Sequence, residues 1–244
     1  MADVDAGTPR TIAIDGEALA LYGERALHWP AIDALLIADL HLGKGEVFRR
    51  AGLAVPRGGT ASDLARLAAL LGATRASRLL ILGDVLHGAL HADAGWREDW
   101  ATFRAAHRAL NVEAIVGNHD RALLPRVAAS TADAALASKA AASGSGAEAL
   151  GLALRDDGAV ERGIALCHEP DRAPAGRPSL CGHWHPAAAV PDLGKLPAFW
   201  WRAAERQLVL PAFSIFTGRR VPRPSRGDAL YACAGHAVLP PLPG

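Results

Sequence analysis

The run Leu79-Leu80-Ile81-Leu82 stops abruptly at Gly83-Asp84, and no other feature restricts the fold of this chain as strongly. Consecutive apolar residues without alternation, closed by a turn signal, describe a strand buried on both faces, which needs a packed layer above it and another below. The glycine lets the backbone turn tightly, so the Asp84 carboxylate leaves the sheet at its carboxyl edge, where open α/β sheets gather their ligands. The arrangement recurs. The run 34–38 delivers Asp39-Leu40-His41, and 112–116 delivers Gly117-Asn118-His119-Asp120. Further on, 164–167 delivers His168, and 179–181 delivers Gly182-His183-Trp184-His185.

The remaining segments supply scaffold. Stretches 11–14, 18–22 and 26–28 read as antiparallel strands joined at Asp15-Gly16 and Gly23-Glu24. Leu64, Leu67, Leu70 and Leu71 share one face of an amphipathic helix over 60–71, with Thr60 or Ser62 as its cap. Trp96, Trp100, Phe103 and Leu110 recur at helical spacing over 93–110, and later strands fall at 207–210 and 229–233. The Ala-, Ser- and Gly-rich stretch 128–146 reads as a surface loop or insertion. The expectation is one α/β domain over 1–244 with its motifs within 34–186.

Half the residues are hydrophobic, and the formal net charge is +1, which describes a globular chain with no global electrostatic case for nucleic acid. Local cases exist. Arg49, Arg50 and Arg57 follow the first motif, and Arg219, Arg220, Arg223 and Arg226 cluster near the carboxyl end, where guanidinium groups suit phosphates. Trp200 and Trp201 offer stacking surfaces, although neighbours on a strand face opposite ways and one of them belongs to a core. Cys167, Cys181 and Cys233 are too few for a disulfide framework and point to a reducing compartment. With no apolar run long enough to span a membrane and an acidic start, Met1-Ala2-Asp3-Val4-Asp5, the expected location is the cytoplasm.

In extended backbone, residues i and i+2 share a face, so Asp39 and His41 converge while Leu40 turns to the core, and His183 and His185 do likewise. Asn118, His119 and Asp120 present an amide oxygen, an imidazole and a carboxylate in succession, which suits ligation and acid–base work better than packing. His87 and His91 follow Asp84 closely enough to reach a substrate, as Arg49 and Arg50 do after the first motif. Imidazoles, carboxylates and an amide without thiolates suit Mn²⁺, Fe²⁺ or Zn²⁺, and the donors outnumber what one ion needs. Two ions about 3.5–4 Å apart that share a carboxylate clamp a phosphoryl group and acidify a water.

The series Asp39-x-His41, Gly83-Asp84, Gly117-Asn118-His119-Asp120, His168 and Gly182-His183-x-His185 resembles, in order, the calcineurin-like metallophosphoesterase superfamily. The resemblance implies a two-sheet β-sandwich flanked by helices, four-layered as α/β/β/α. It also implies that Asp39, His41 and His185 hold one ion, that Asn118, His168 and His183 hold the other, and that Asp84 bridges them. His119 would contact the phosphate and protonate the leaving oxygen, with Asp120 orienting it and a metal-bridging hydroxide as nucleophile. Asp39-Leu40-His41-Leu42-Gly43-Lys44, Gly83-Asp84-Val85-Leu86-His87 and Leu210-Pro211-Ala212-Phe213-Ser214 are similar to the bacterial ligase-associated DNA damage response endonucleases of the PdeM type. Where many members carry a second acidic residue, this chain has Leu86-His87. The resemblance implies action on phosphodiester bonds, DNA included, supported by Mn²⁺ in association with a DNA ligase, a helicase and a nuclease. A phosphatase or hydrolase of small nucleotides or phosphoproteins on the same ions is the alternative. A non-catalytic scaffold has no use for a positioned proton donor such as His119. A homodimer through the sheet edges after His185 is compatible with the sequence, which names no residue for it.

Overall fold

A computed structural model of the chain describes residues 7–88, 94–124 and 145–243. Two sheets face each other. The first has seven strands in chain order: β1 (Arg10–Ile14), β2 (Glu17–Tyr22), β3 (Ala26–Trp29), β4 (Ala34–Ile37), β5 (Arg78–Leu82), β6 (Asn111–Ile115) and β7 (Ala153–Arg155). It is antiparallel from β1 to β4 and parallel from β4 to β7. The second has nine strands: β8 (Ala159–Glu161), β9 (Ile164–Leu166), β10 (Ser179–Cys181), β11 (Ala187–Val190), β12 (Gly194–Arg202), β13 (Gln207–Val209), β14 (Ala229–Ala234), β15 (Ala237–Val238) and β16 (Leu242–Pro243). β9, β10 and β13 run parallel at its middle.

The continuous apolar runs follow from this layering. In β4 and β5, Leu35, Ile37, Leu79 and Ile81 point to the core beneath the helices, while Leu36, Leu80 and Leu82 point between the sheets. Each strand is the wall of two cores at once, so no position over 34–37 or 79–82 faces water. The helices α1 (Lys44–Arg50), α2 (Gly59–Thr74) and α3 (Trp96–Ala106) belong to the first-sheet side, where Leu64, Leu67, Leu70, Trp100 and Phe103 fill the core. The outer face of the second sheet carries small clusters instead, one of Ala188, Ala198, Leu230 and Ala232, another of Ala165, Cys167 and Cys181. Trp201 turns into the inter-sheet core and Trp200 onto the outer face, as alternation requires.

Some local expectations are corrected. α2 starts at Gly59 behind Gly58 in left-handed backbone, so neither Thr60 nor Ser62 caps it; both hydroxyls fall inside the first turn, and Thr60 Oγ1 instead accepts from Gly43 N. α3 ends at Ala106 rather than Leu110, because the His107 ring turns back onto the Phe103 carbonyl at 2.9 Å. Of the expected loop 128–146, only Ser145 and Gly146 lie among the described residues; Ser145 Oγ accepts from Glu148 N and caps a short helix, Gly146–Ala149. His91 lies outside the described residues.

Candidate metal centre

Beyond the carboxyl ends of β4, β5, β6, β9 and β10, the strand-end loops continue as a ladder. Asp39 N donates to Gly83 O (3.1 Å), His41 N to Asp84 O (2.8 Å) and Gly182 N to His168 O (3.0 Å). Side chains from both sheets meet here in two groups, Asp39 with His41 and His185, and Asp84 with His168 and His183. Within each group the donor atoms lie within 4.8 Å of one another. Asn118 joins the second group, its Oδ1 3.1 Å from His168 Nε2. Asp84 stands between the groups, with Oδ1 3.5 Å from His168 Nε2 and Oδ2 4.0 Å from His41 Nε2.

The backbone that aims these groups differs from the extended one expected from i, i+2 spacing. Asp39 (φ +54°), His41 (+49°), Asp84 (+50°), His183 (+71°) and His185 (+49°) are all left-handed. Each costs about 1–2 kcal/mol for a residue with a Cβ, a strain that the surrounding packing over-determines. His183 and His185 therefore diverge into different groups instead of sharing a face. Close approach is bought by glycine: a Cβ on Gly83 would lie 2.1 Å from His168 Nδ1, and one on Gly117 would lie 2.2 Å from Asp84 N.

Hydrogen bonds set the ligand tautomers. His168 Nδ1–H donates to Leu82 O at 2.9 Å, which leaves the Nε2 lone pair facing Asp84 and Asn118. Asp39 Oδ2 accepts from His183 N at 3.0 Å, and Oδ1 points at His185 Nε2, 3.2 Å away. Asp39 Oδ1, His41 Nε2 and His185 Nε2 are buried without a hydrogen-bond partner, three lone-pair atoms turned into one space. Such a set is costly unless a cation fills it, so the first group fits a divalent ion, and the second offers the same kinds of donor in Asp84, His168, His183 and Asn118.

The electrostatics agree. Burial, assisted by the Lys44 charge, pushes the His41 imidazole down to about 3, and the same two causes take His87 down to about 4. Burial raises the Asp84 carboxyl, with His168 and the His119 N–H opposing and Asp39 reinforcing. Burial also acts to raise Asp39, but the His185 ring 3.2 Å away, helped by the charges of His168 and His41, outweighs it and leaves that carboxyl below its ordinary value.

Around the groups, His119 is exposed at the rim, its ring 5.5 Å from that of His41 and 4.7 Å from that of His87. Its backbone N–H donates to Asp84 Oδ1 at 2.9 Å. Asp120 does not touch the His119 ring, contrary to expectation; it accepts from Gly117 N (2.9 Å), Val85 N (3.2 Å) and Leu86 N (2.9 Å), binding two strand-end loops together. His87 and Arg50 line a cavity of about 140 Å³ with Leu42 and Trp96. Arg49 is turned elsewhere, donating to Pro56 O at 2.9 Å to close the chain after α1. Sequence reasoning passed over Lys44. It is buried at the start of α1, and although burial lowers its pKa, the charges of Asp39 and Asp84 act on it in the opposite direction. A lone Lys after glycine in a ligand motif was its only signal.

Two facing sheets whose strand ends converge on such a doubled donor set define a class, and the chain belongs to it: the calcineurin-like phosphoesterase family model matches residues 33–187. It is a metal-dependent phosphoesterase. Among solved structures, the chain is similar to the Pseudomonas putida nuclease MPE, with 32% identity over 96% of this chain and 100% of that one, at a TM-score of 0.73. No curated protein sequence matches it. Among the described residues, no helix is long and apolar enough to cross a membrane.

Proposed function

We propose that this chain is a dinuclear phosphodiesterase and endonuclease that acts on DNA in the damage response, with Mn²⁺ as its working ion. The observation that carries the reading is the position of Asp84 between two adjoining donor groups, Oδ1 3.5 Å from His168 Nε2 and Oδ2 4.0 Å from His41 Nε2, with a half-exposed imidazole, His119, at their rim. The likeness to a nuclease over nearly the whole chain supports it. Asp39, His41 and His185 would hold one ion, Asn118, His168 and His183 the other, and Asp84 both. When bound, the pair supplies positive charge to the phosphoryl oxygens and acidifies a water to serve as nucleophile.

The chain's own groups do the rest. His41, held neutral, keeps its Nε2 lone pair available at neutral pH. His119 is packed against His41 and His87 while its side chain stays 41% exposed, so it can donate a proton to an oxygen leaving from solvent-side DNA. Lys44 adds a fixed charge for the anionic substrate.

The test is Mn²⁺-dependent hydrolysis of matched aryl phosphodiester and phosphomonoester substrates by wild type and Asp84→Ala. Turnover of the diester, poor turnover of the monoester and loss of more than about 100-fold on substitution are expected. Preference for the monoester makes the enzyme a phosphatase of small nucleotides or phosphoproteins instead and removes the chemical basis of the DNA reading.

A further inference from the structure

The phosphoester chemistry leaves a cavity beside the 183–185 loop unused. It measures about 520 Å³ and is lined by Trp184, Pro186, Trp200, Arg220, Val221 and Arg223. Its wall and the ligand loop are one piece of backbone: Trp184 stands between His183 and His185, and Arg220 N donates to His185 O at 3.1 Å. The two indoles lie 5.7 Å apart, tilted by 37°, and the Arg202 guanidinium sits 5.0 Å from one ring and 5.2 Å from the other. Trp200 is fixed through Nε1 to Asp228 Oδ2 (3.1 Å), and Arg202 through Gln207 (2.6 Å) and Glu205 (2.7 Å). By contrast, Arg220 and Arg223 are exposed, and neither guanidinium has a hydrogen bond or ion pair among the described residues.

Rings that serve only as packing leave no space between them and a pair of unengaged guanidiniums. Here the volume falls in the range of small-molecule pockets, an aromatic wall of two indoles, one of them anchored, calls for a flat ligand, and the free cations call for one that is anionic along an edge. We propose that the cavity receives an unstacked nucleobase of a polynucleotide whose scissile phosphate lies at the metal centre, with Arg220 and Arg223 on an adjacent phosphate. This rests on the phosphodiesterase reading above. A base inside a duplex has both faces covered by its neighbours, so the base that enters must be unpaired or extruded.

The experiment compares the full chain's affinity for two fluorescent, phosphorothioate-linked decamers, one of thymidine and one abasic, which share the backbone and differ in bases. Wild type binds the thymidine decamer roughly tenfold or more tightly than the abasic one. Trp200→Ala brings the ratio close to one, and Trp200→Phe, which keeps a ring, retains most of it. Arg220→Glu with Arg223→Glu weakens both decamers alike. Equal binding of the two decamers by wild type, or a preference that survives Trp200→Ala, overturns the base site. Competition by thymidine 5′-monophosphate as strong as by the decamer assigns the cavity to small nucleotides and overturns the polynucleotide. Hydrolysis of an aryl diester by the same preparation separates the two ideas: hydrolysis without a base preference removes this site alone, whereas no hydrolysis with any divalent ion removes the reading beneath it.

Discussion

Lys44 would work against bound ions and for an anionic substrate. Its buried charge faces Asp39 and Asp84, so it competes with a divalent cation for them while attracting a phosphate. Lys44→Met should therefore bind Mn²⁺ roughly 5- to 10-fold more tightly by calorimetry and raise KM for a phosphodiester by a similar factor; a shift of both in the same direction refutes this. Asp120 acts on backbone alone. Burial raises its carboxyl to about 6, against the pull of the Leu86 and Gly117 N–H groups. Asp120→Asn presents an NH₂ where one oxygen accepted, leaves at least one buried N–H unpaired, and should cost about 1–3 kcal/mol in chemical denaturation without metal. Unchanged stability would mean that the loops hold without it.

At the level of strands and turns, Gly83 is the most exacting position. Gly83→Ala places a methyl group on His168 and puts a non-glycine residue at φ +78°, so His168 must move from Leu82 O. Loss of one of two Mn²⁺ equivalents, read by metal analysis after dialysis, is the expected result. A second set ties β5, β6, β7 and β8 together: Glu161 accepts from Arg78 at 3.0 Å and from Arg155 at 2.5 Å, while Glu113 accepts from the same two arginines at 3.0 Å each. Burial acts to raise Glu161, but the hydrogen bonds from Arg155 and Arg78 outweigh it and lower the pKa from its ordinary 4.5. A depressed carboxyl contributes stability above the unfolded value and loses it as pH falls through the folded one. Glu161→Gln should thus flatten the acid limb of the Tm profile below about pH 4.5, and a parallel profile would exclude the effect. Much of this level was legible in the sequence. Runs such as 79–82 announced strands buried on both faces, and each ended at residues that reach the metal centre. What stayed hidden was how those residues are aimed. Left-handed backbone at Asp39, His41 and Asp84 has no signature in composition or alternation, and the turn of Arg49 toward Pro56 depends on where α1 stops.

Taken whole, the molecule divides its candidate metal centre between layers. Asp39, His41, Asp84 and Asn118 come from loops of the first sheet, and His168, His183 and His185 from the second. Ions held there cross-link the sandwich at one edge, so binding to the native state alone must stabilise the fold. Saturation at about 100 times Kd adds about 2.7 kcal/mol, which for a chain of this size raises Tm by roughly 5–10 °C over the protein in chelator. A Tm indifferent to Mn²⁺ would show that the centre does not load. The shared edge has a further consequence, for biosynthesis. β10 lies between β9 and β13, β12 lies between β13 and β14, and β14 pairs with β15 and β16, so the second sheet is complete only once residue 243 has joined it. During translation, the loops of the first sheet would thus carry half a chelator, and uptake of ions at this edge would wait until the second sheet has formed.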